Sequence, residues 1–234
     1  MSCKKINFSV SLLLLPAIGV NLCWRVLKET PVNMQFSISF TKTLFSLAFI
    51  ACLHSASFGA TERNLVYKVL VSDEQKGNLD ARLTQESESN FSIRLITKFE
   101  VFLLKIKSDI QLKYENGRLV SAETSKYING VRTEHTVITN HYGVYKITGS
   151  DIDDLVITSA VTFSVGRLYH FEPIGHSKML SERLGKEVEV RTIGKHAYEL
   201  RQPDGDRNYF FYKNGICNEM QTRMKGKAVR FVLE

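Results

Sequence analysis

Asp109-Ile110-Gln111-Leu112-Lys113-Tyr114-Glu115-Asn116-Gly117-Arg118-Leu119 decides the fold class. Apolar Ile110, Leu112 and Tyr114 alternate with Asp109, Gln111, Lys113 and Glu115, the period of two expected of a strand with one buried face. Asn116-Gly117 then supplies the two residues that tolerate positive φ and so close a two-residue hairpin. The same grammar recurs outward in both directions. Leu65, Tyr67, Val69 and Val71 share a face; Val188, Val190 and Thr192 alternate with Glu187, Glu189 and Arg191; Val229, Phe231 and Leu233 end the chain. Asn129-Gly130, Asn214-Gly215 and Pro203-Asp204-Gly205-Asp206 are further turns, with weaker breaks at Gly77-Asn78, Gly143, Gly149 and Gly194-Lys195. No strand-helix-strand crossover is legible. The expected fold is all-β, an antiparallel meander of about eight to eleven strands curled into a barrel or half-barrel.

Two segments depart from the simple pattern. Phe99 to Ile106 is apolar on both faces and is assigned to one strand. Ser177 to Leu184 reads as a short helix ending at Gly185, placed to cover one opening of the sheet.

Before this region lies an export signal. From Met34 the chain supplies Lys42, an apolar stretch from Leu44 to Leu53, and the small residues around Ser55, Ser57 and Gly59 that precede a signal-peptidase cut. Residues 34–60 are therefore expected to be a signal peptide, cut between residues 56 and 61, and 61–234 a single β-barrel-like domain. An earlier apolar stretch, Phe8 to Val20, is too short to span a bilayer. Residues 1–33 are accordingly assigned to an upstream extension from a mis-assigned start, with a double leader as the alternative. Lipid attachment at Cys52 lacks its usual preceding pattern. The expected location is periplasmic or secreted, in a bacterium, with no stable membrane span once the signal is gone.

Residues 61–234 carry 26 Lys+Arg and 23 Asp+Glu, a net +3 against +7 for the whole chain. The cations are interspersed with acids, so the electrostatic motive for nucleic-acid binding is missing. Cys217 is the one cysteine of this region, which excludes an internal disulfide and favours a buried thiol.

No catalytic signature is present. Ser164-Val165-Gly166 lacks the first glycine of a nucleophile elbow. Asp151, Asp153 and Asp154 lack the glycine and distal glutamate of a calcium loop and read as a solvated turn. His170, Glu172 and His176 could supply three zinc ligands, but Pro173 and Gly175 leave their spacing undefined. This trio is the whole basis for an alternative as a metal-dependent hydrolase, and no cofactor is called for. Aromatic bulk is more suggestive. Phe99, Phe102, Phe163, Tyr209 and Phe211 either fill the curled sheet or line a pocket for an apolar small molecule or lipid. An exposed edge strand pairing with an envelope protein is the other partner reading.

The order of motifs from Val66 to Leu233 resembles an uncharacterised family of exported bacterial β-proteins, a domain of unknown function akin to lipocalin-like or open half-barrel periplasmic domains. The residues that carry the resemblance are Glu74-Gln75-Lys76-Gly77, Tyr114 to Leu119, Asn129-Gly130, the stretch around Gly185-Lys186-Glu187-Val188, and Tyr212-Lys213-Asn214-Gly215. It implies a location and a fold. No catalytic residue transfers with it.

Overall fold

The computed structural model describes residues 59–150, 152–203 and 205–234. The expected extension 1–33, nearly all of the signal peptide 34–60, Asp151 and Asp204 lie outside the described residues.

Among the described residues, alternation of apolar and polar side chains produces fourteen strands where eight to eleven were expected. The first arm runs β1 (Thr61–Val71), β2 (Glu74–Gln85), β3 (Phe91–Val101), β4 (Leu104–Glu115), β5 (Arg118–Ile128), β6 (Val131–His141), β7 (Val144–Gly149) and β8 (Ile152–Ile157). The second runs β9 (Lys178–Ser181), β10 (Lys186–Gly194), β11 (Ala197–Arg201), β12 (Arg207–Lys213), β13 (Ile216–Met224) and β14 (Lys227–Leu233). Each strand pairs antiparallel with its sequence neighbour within its arm. The two arms join where β1 pairs with β14, Tyr67 opposite Leu233 and Val71 opposite Val229. One sheet results, with β8 and β9 at its edges, so the meander is open rather than closed.

The sheet curls until its arms meet. Thr136 Oγ1 on β6 donates to the carbonyl of Arg183, after β9, at 3.0 Å, and the Arg183 guanidinium lies 3.4 Å from Glu134. Inward-facing residues of both arms make the core. Tyr67 and Val69 of β1, Ile93 of β3, Leu119 of β5, Ile147 of β7, Leu200 of β11 and Val229 of β14 are all buried, while the alternating residues Lys68 of β1, Arg94 of β3 and Lys146 of β7 are exposed.

The segment assigned to one two-faced strand is instead a hairpin. Phe102 and Leu103 hold φ of 49° and 65° and form the turn between β3 and β4. Phe102 therefore stands at an exposed tip, not in an interior. The apolar run has no polar turn residue to mark it, which is why it reads as continuous. Left-handed geometry costs a non-glycine residue about 1–2 kcal/mol. Asn116, Asn129 and Asn214, each followed by glycine, reach the same geometry with suitable residues.

The expected helix over 177–184 is also replaced. Residues Lys178–Ser181 pair with β10, Met179 opposite Val188 and Leu180 opposite Glu187, and Met179 and Leu180 are both buried. Burying two consecutive residues between the edge of the sheet and the segment before it outweighs local helix propensity. One helical turn survives after the strand, where the Gly185 N–H donates to the Ser181 carbonyl at 2.9 Å. Nor does a helix cover the opening of the sheet. That space is taken by the connection between the two edges, residues 158–177, which enters the curl and makes one 3₁₀ turn at Val165–Tyr169.

Candidate functional site

The interior of the curled sheet is where a ligand would be sought, and the chain fills it with its own connecting segment. Val161, Phe163, Leu168 and Tyr169 of this segment are buried against the inner faces of both arms. An inserted loop brings backbone polar groups into a low-dielectric space, and each must find a partner. Tyrosines placed on the inner face provide several. Tyr67 OH donates to the carbonyls of Tyr169 at 3.2 Å and Cys217 at 2.8 Å. Tyr212 OH donates to Leu168 O at 2.8 Å, and Tyr145 OH accepts the Val161 N–H at 3.2 Å. These hydroxyls come from β1, β12 and β7, so one segment ties together strands of both arms.

A second set of contacts fixes the 3₁₀ turn. Tyr114 OH donates to Ser164 Oγ at 2.7 Å, and the Gly166 N–H donates to Glu182 Oε1 at 2.9 Å. Burial pushes the Glu182 carboxyl above its ordinary range, with the Ser164 hydroxyl and the Gly166 N–H acting against that shift. Gly166 is required for the approach, since a Cβ there would stand 2.6 Å from Leu112 Cδ1 and 3.1 Å from Glu182 Oε1. Arg167 points its guanidinium into a box of rings, 4.6 Å from Phe163, 4.8 Å from Phe171 and 5.0 Å from both Phe91 and Tyr114. It also donates to the Thr162 carbonyl. A serine, a glutamate and a tyrosine in contact invite a catalytic reading, but Ser164 has no exposed surface. Their geometry locks the segment rather than receiving a substrate.

The zinc trio does not assemble. His170 is buried with both ring nitrogens unpartnered. Glu172 accepts from Tyr198 OH at 2.8 Å and lies 2.9 Å from His196 Nδ1, tying the segment to the turn between β10 and β11. His176 packs its ring on Phe163 at 4.5 Å. Among the described residues, no three or more His, Cys, Asp or Glu side chains group closely enough to hold a metal ion.

The five aromatic candidates do not converge either. Phe99 lies in the core beside Phe231, ring centroids 6.3 Å apart, and Phe163 belongs to the inserted segment itself. Phe102 is a hairpin tip. Tyr209 and Phe211 occupy the outer face of β12, whose inward-facing aromatics are Phe210 and Tyr212. The space left beside the segment where β8 ends and β9 begins is about 70 Å³, lined by Phe163, His176 and Met179 among others. That is room for water and well below the several hundred Å³ of a typical ligand pocket.

Larger concavities face outward. One, about 730 Å³, lies across β2 to β6, and two of its cations pair with neighbours, Arg94 to Asp109 at 2.8 Å and Lys113 to Glu115 at 2.8 Å. A cleft of about 460 Å³ marks the seam where Thr136, Ile152 and Leu155 face Arg183 and Leu184. A third, about 570 Å³, lies near the β3–β4 tip and is lined by Lys76, Lys98, Lys105 and Lys107.

Sequence reasoning missed Arg167, Glu182 and the interior tyrosines as a connected set. The available signal was Tyr67, Tyr114 and Tyr212 at apolar-face positions, because a phenol on a buried face needs a partner for its hydroxyl. Nothing local announced the pairing of Glu172 with His196.

The family described as a domain of unknown function, DUF6134, matches residues 67–234. No curated protein matches the chain. Among solved structures, the chain is similar to a beta-barrel-like protein of domain of unknown function DUF1849 from Brucella abortus. Identity is 12% over 76% of this chain and 98% of that one, with a TM-score of 0.43.

Proposed function

The chain belongs to the DUF6134 family of unknown function, and from that premise we propose that it is an exported binding or accessory protein of the bacterial envelope working from its outer face, edges and rims. The observation that carries this reading is the occupied interior. Residues 161–171 take the volume a carried lipid would need, and hydroxyls of Tyr67, Tyr114, Tyr145 and Tyr212 hold them there. The export signal at 34–60 supports the location. The test is native mass spectrometry of the exported chain, followed by solvent extraction. A mass equal to the polypeptide alone is the expected result, and a stoichiometric, extractable apolar molecule would overturn the reading.

An edge-pairing mode has its own observation. Among the described residues β8 pairs on one side only, and its Val156 is 61% exposed. Such an edge offers backbone groups to a strand of a protein partner. Site-specific crosslinking from Val156 in cells would trap that partner; monomer alone would dismiss this mode.

A further inference from the structure

The turn between β3 and β4 is closed by two large apolar residues, whereas the neighbouring turn between β1 and β2 holds left-handed geometry with the polar pair Ser72 and Asp73. Asn-Gly closes the hairpins at 116–117, 129–130 and 214–215, whereas Phe102 and Leu103 hold the same left-handed geometry with two large apolar side chains. Leu103 is 97% exposed and Phe102 47%. The adjoining tip adds Val131 at 67%. The two tips are fastened side by side, the Lys105 N–H donating to Asn129 Oδ1 at 2.9 Å and the Asn129 N–H to Lys105 O at 2.8 Å. A residue choice that is strained in the fold and contributes nothing to the core points to a contact outside the molecule.

Lysines surround these tips. Lys227 Nζ lies 4.9 Å from the centre of the Phe102 ring, and Lys107 Nζ lies 5.5 Å from that of Tyr127. The groove of about 570 Å³ beside the tips is lined by Lys76, Lys98, Lys105 and Lys107, with Glu100, 3.9 Å from Lys105, the one acid among its lining residues. Nearby acids are already engaged, Asp73 with Arg230 at 3.0 Å and Glu74 with Lys76 at 2.6 Å. Cations therefore concentrate on a rim of a domain whose net charge is only +3.

We propose that this rim docks on an anionic phospholipid surface, with Leu103, Phe102 and Val131 entering the headgroup layer and Lys98, Lys105, Lys107 and Lys227 meeting phosphates. Apolar side chains on protruding tips, flanked by long flexible cations, suit a soft bilayer boundary, where lysines reach headgroups while their stems stay apolar. A stable protein interface of standard size needs a broad contiguous patch instead. The proposal rests on the reading that the protein works from its outer surface, and it names the partner at that rim.

The test is flotation of the purified exported chain with vesicles of phosphatidylcholine, with and without phosphatidylglycerol. Binding is expected only to the anionic vesicles and is expected to weaken as salt rises. The double variant F102N/L103G installs the preferred turn, so it should fold at least as well as the parent while binding about tenfold more weakly or worse. K98Q/K107Q should lose roughly fivefold per lysine removed. Equal binding to neutral vesicles, unchanged binding by F102N/L103G, or no flotation of the parent would each overturn the proposal. None of these outcomes touches the mass measurement that tests the empty-carrier reading, so the two fail separately.

Discussion

At the scale of single residues, His170 has the clearest measurable consequence. It is 1% exposed, and burial first, with Arg63 second, pushes its pKa down to about 4. The folded protein therefore keeps a neutral ring, while the unfolded chain takes a proton near the ordinary pKa of about 6.5. In that window the unfolded state binds more protons, so stability rises with pH. The contribution is fully present above the unfolded value and is lost as pH falls through about 6.5 toward 4, a difference of roughly 3 kcal/mol. Glu182 acts with the opposite sign, because its raised pKa favours the folded state below the ordinary carboxylate range and loses that effect as pH rises. Comparing melting temperatures of the parent and His170→Leu between pH 4 and 7 separates the two: the variant should show the flatter acid limb, and parallel limbs would refute this account of His170. Cys217 is simpler. Burial raises its thiol pKa to about 12, and its Sγ–H donates to Glu219 O at 3.4 Å. A thiol reagent should leave Cys217 untouched in the native domain and titrate it on unfolding. The buried position of Cys217 was legible from its being the one cysteine of residues 61–234, but the unpaired state of His170 was not, since a histidine in sequence shows nothing of what surrounds its ring.

At the scale of elements, the Asn-Gly turns and the alternating strands were legible because each is a local rule, satisfied by residues that touch. Phe102-Leu103 was not, because bulky residues in left-handed geometry contradict the preference on which turn recognition depends. The helix expected at 177–184 failed for the complementary reason: its local signal was real, but the pairing of Met179 with Val188 and the bridge from Ser164 to Leu180 are tertiary. Gly77 shows how tightly such pairing is set. It sits beside a register shift in the pairing of β1 with β2, and a Cβ there would lie 2.0 Å from the Lys98 carbonyl oxygen and 2.5 Å from Phe99 Cα. Both obstacles are backbone and cannot turn aside. Gly77→Ala should cost several kcal/mol, at the severe end for a single substitution, read as a lowered denaturation midpoint. The inserted segment should respond more gently. Tyr212→Phe removes the donor to Leu168 O and leaves that buried carbonyl unsatisfied, costing about 1–3 kcal/mol. Amide exchange over residues 161–171 should rise in this variant ahead of exchange in β2 to β4, whereas uniform acceleration would mean the segment is no separate unit.

At the scale of the whole molecule, the topology makes one strand indispensable. β1 has β2 on one side and β14 on the other, and it is the join between seven strands that run away from it in one direction and six in the other. This pairing of the first strand with the last was invisible in the sequence, where each looks like any other alternating segment and some 160 residues separate Val71 from Val229. It turns the position of the proposed export cut into a structural question. Residues 61–65 pair with β2 alone, because β14 ends opposite Tyr67 and its last bond runs from the Glu234 N–H to Val66 O at 3.0 Å; residues 67–71 pair on both sides and bury Tyr67, Val69 and Val71. A cut between residues 56 and 61 preserves all of this. A chain beginning at Thr61 should therefore unfold in one cooperative transition, whereas one beginning at Ser72 would expose the facing edges of β2 and β14, lose the Tyr67 hydroxyl that holds the inserted segment, and divide the sheet into two arms without a shared core. It should show no cooperative melt. If the chain starting at Ser72 melted like the one starting at Thr61, the arms would have to hold together through the inserted segment alone, and β1 would be an accessory strand rather than the join of the fold.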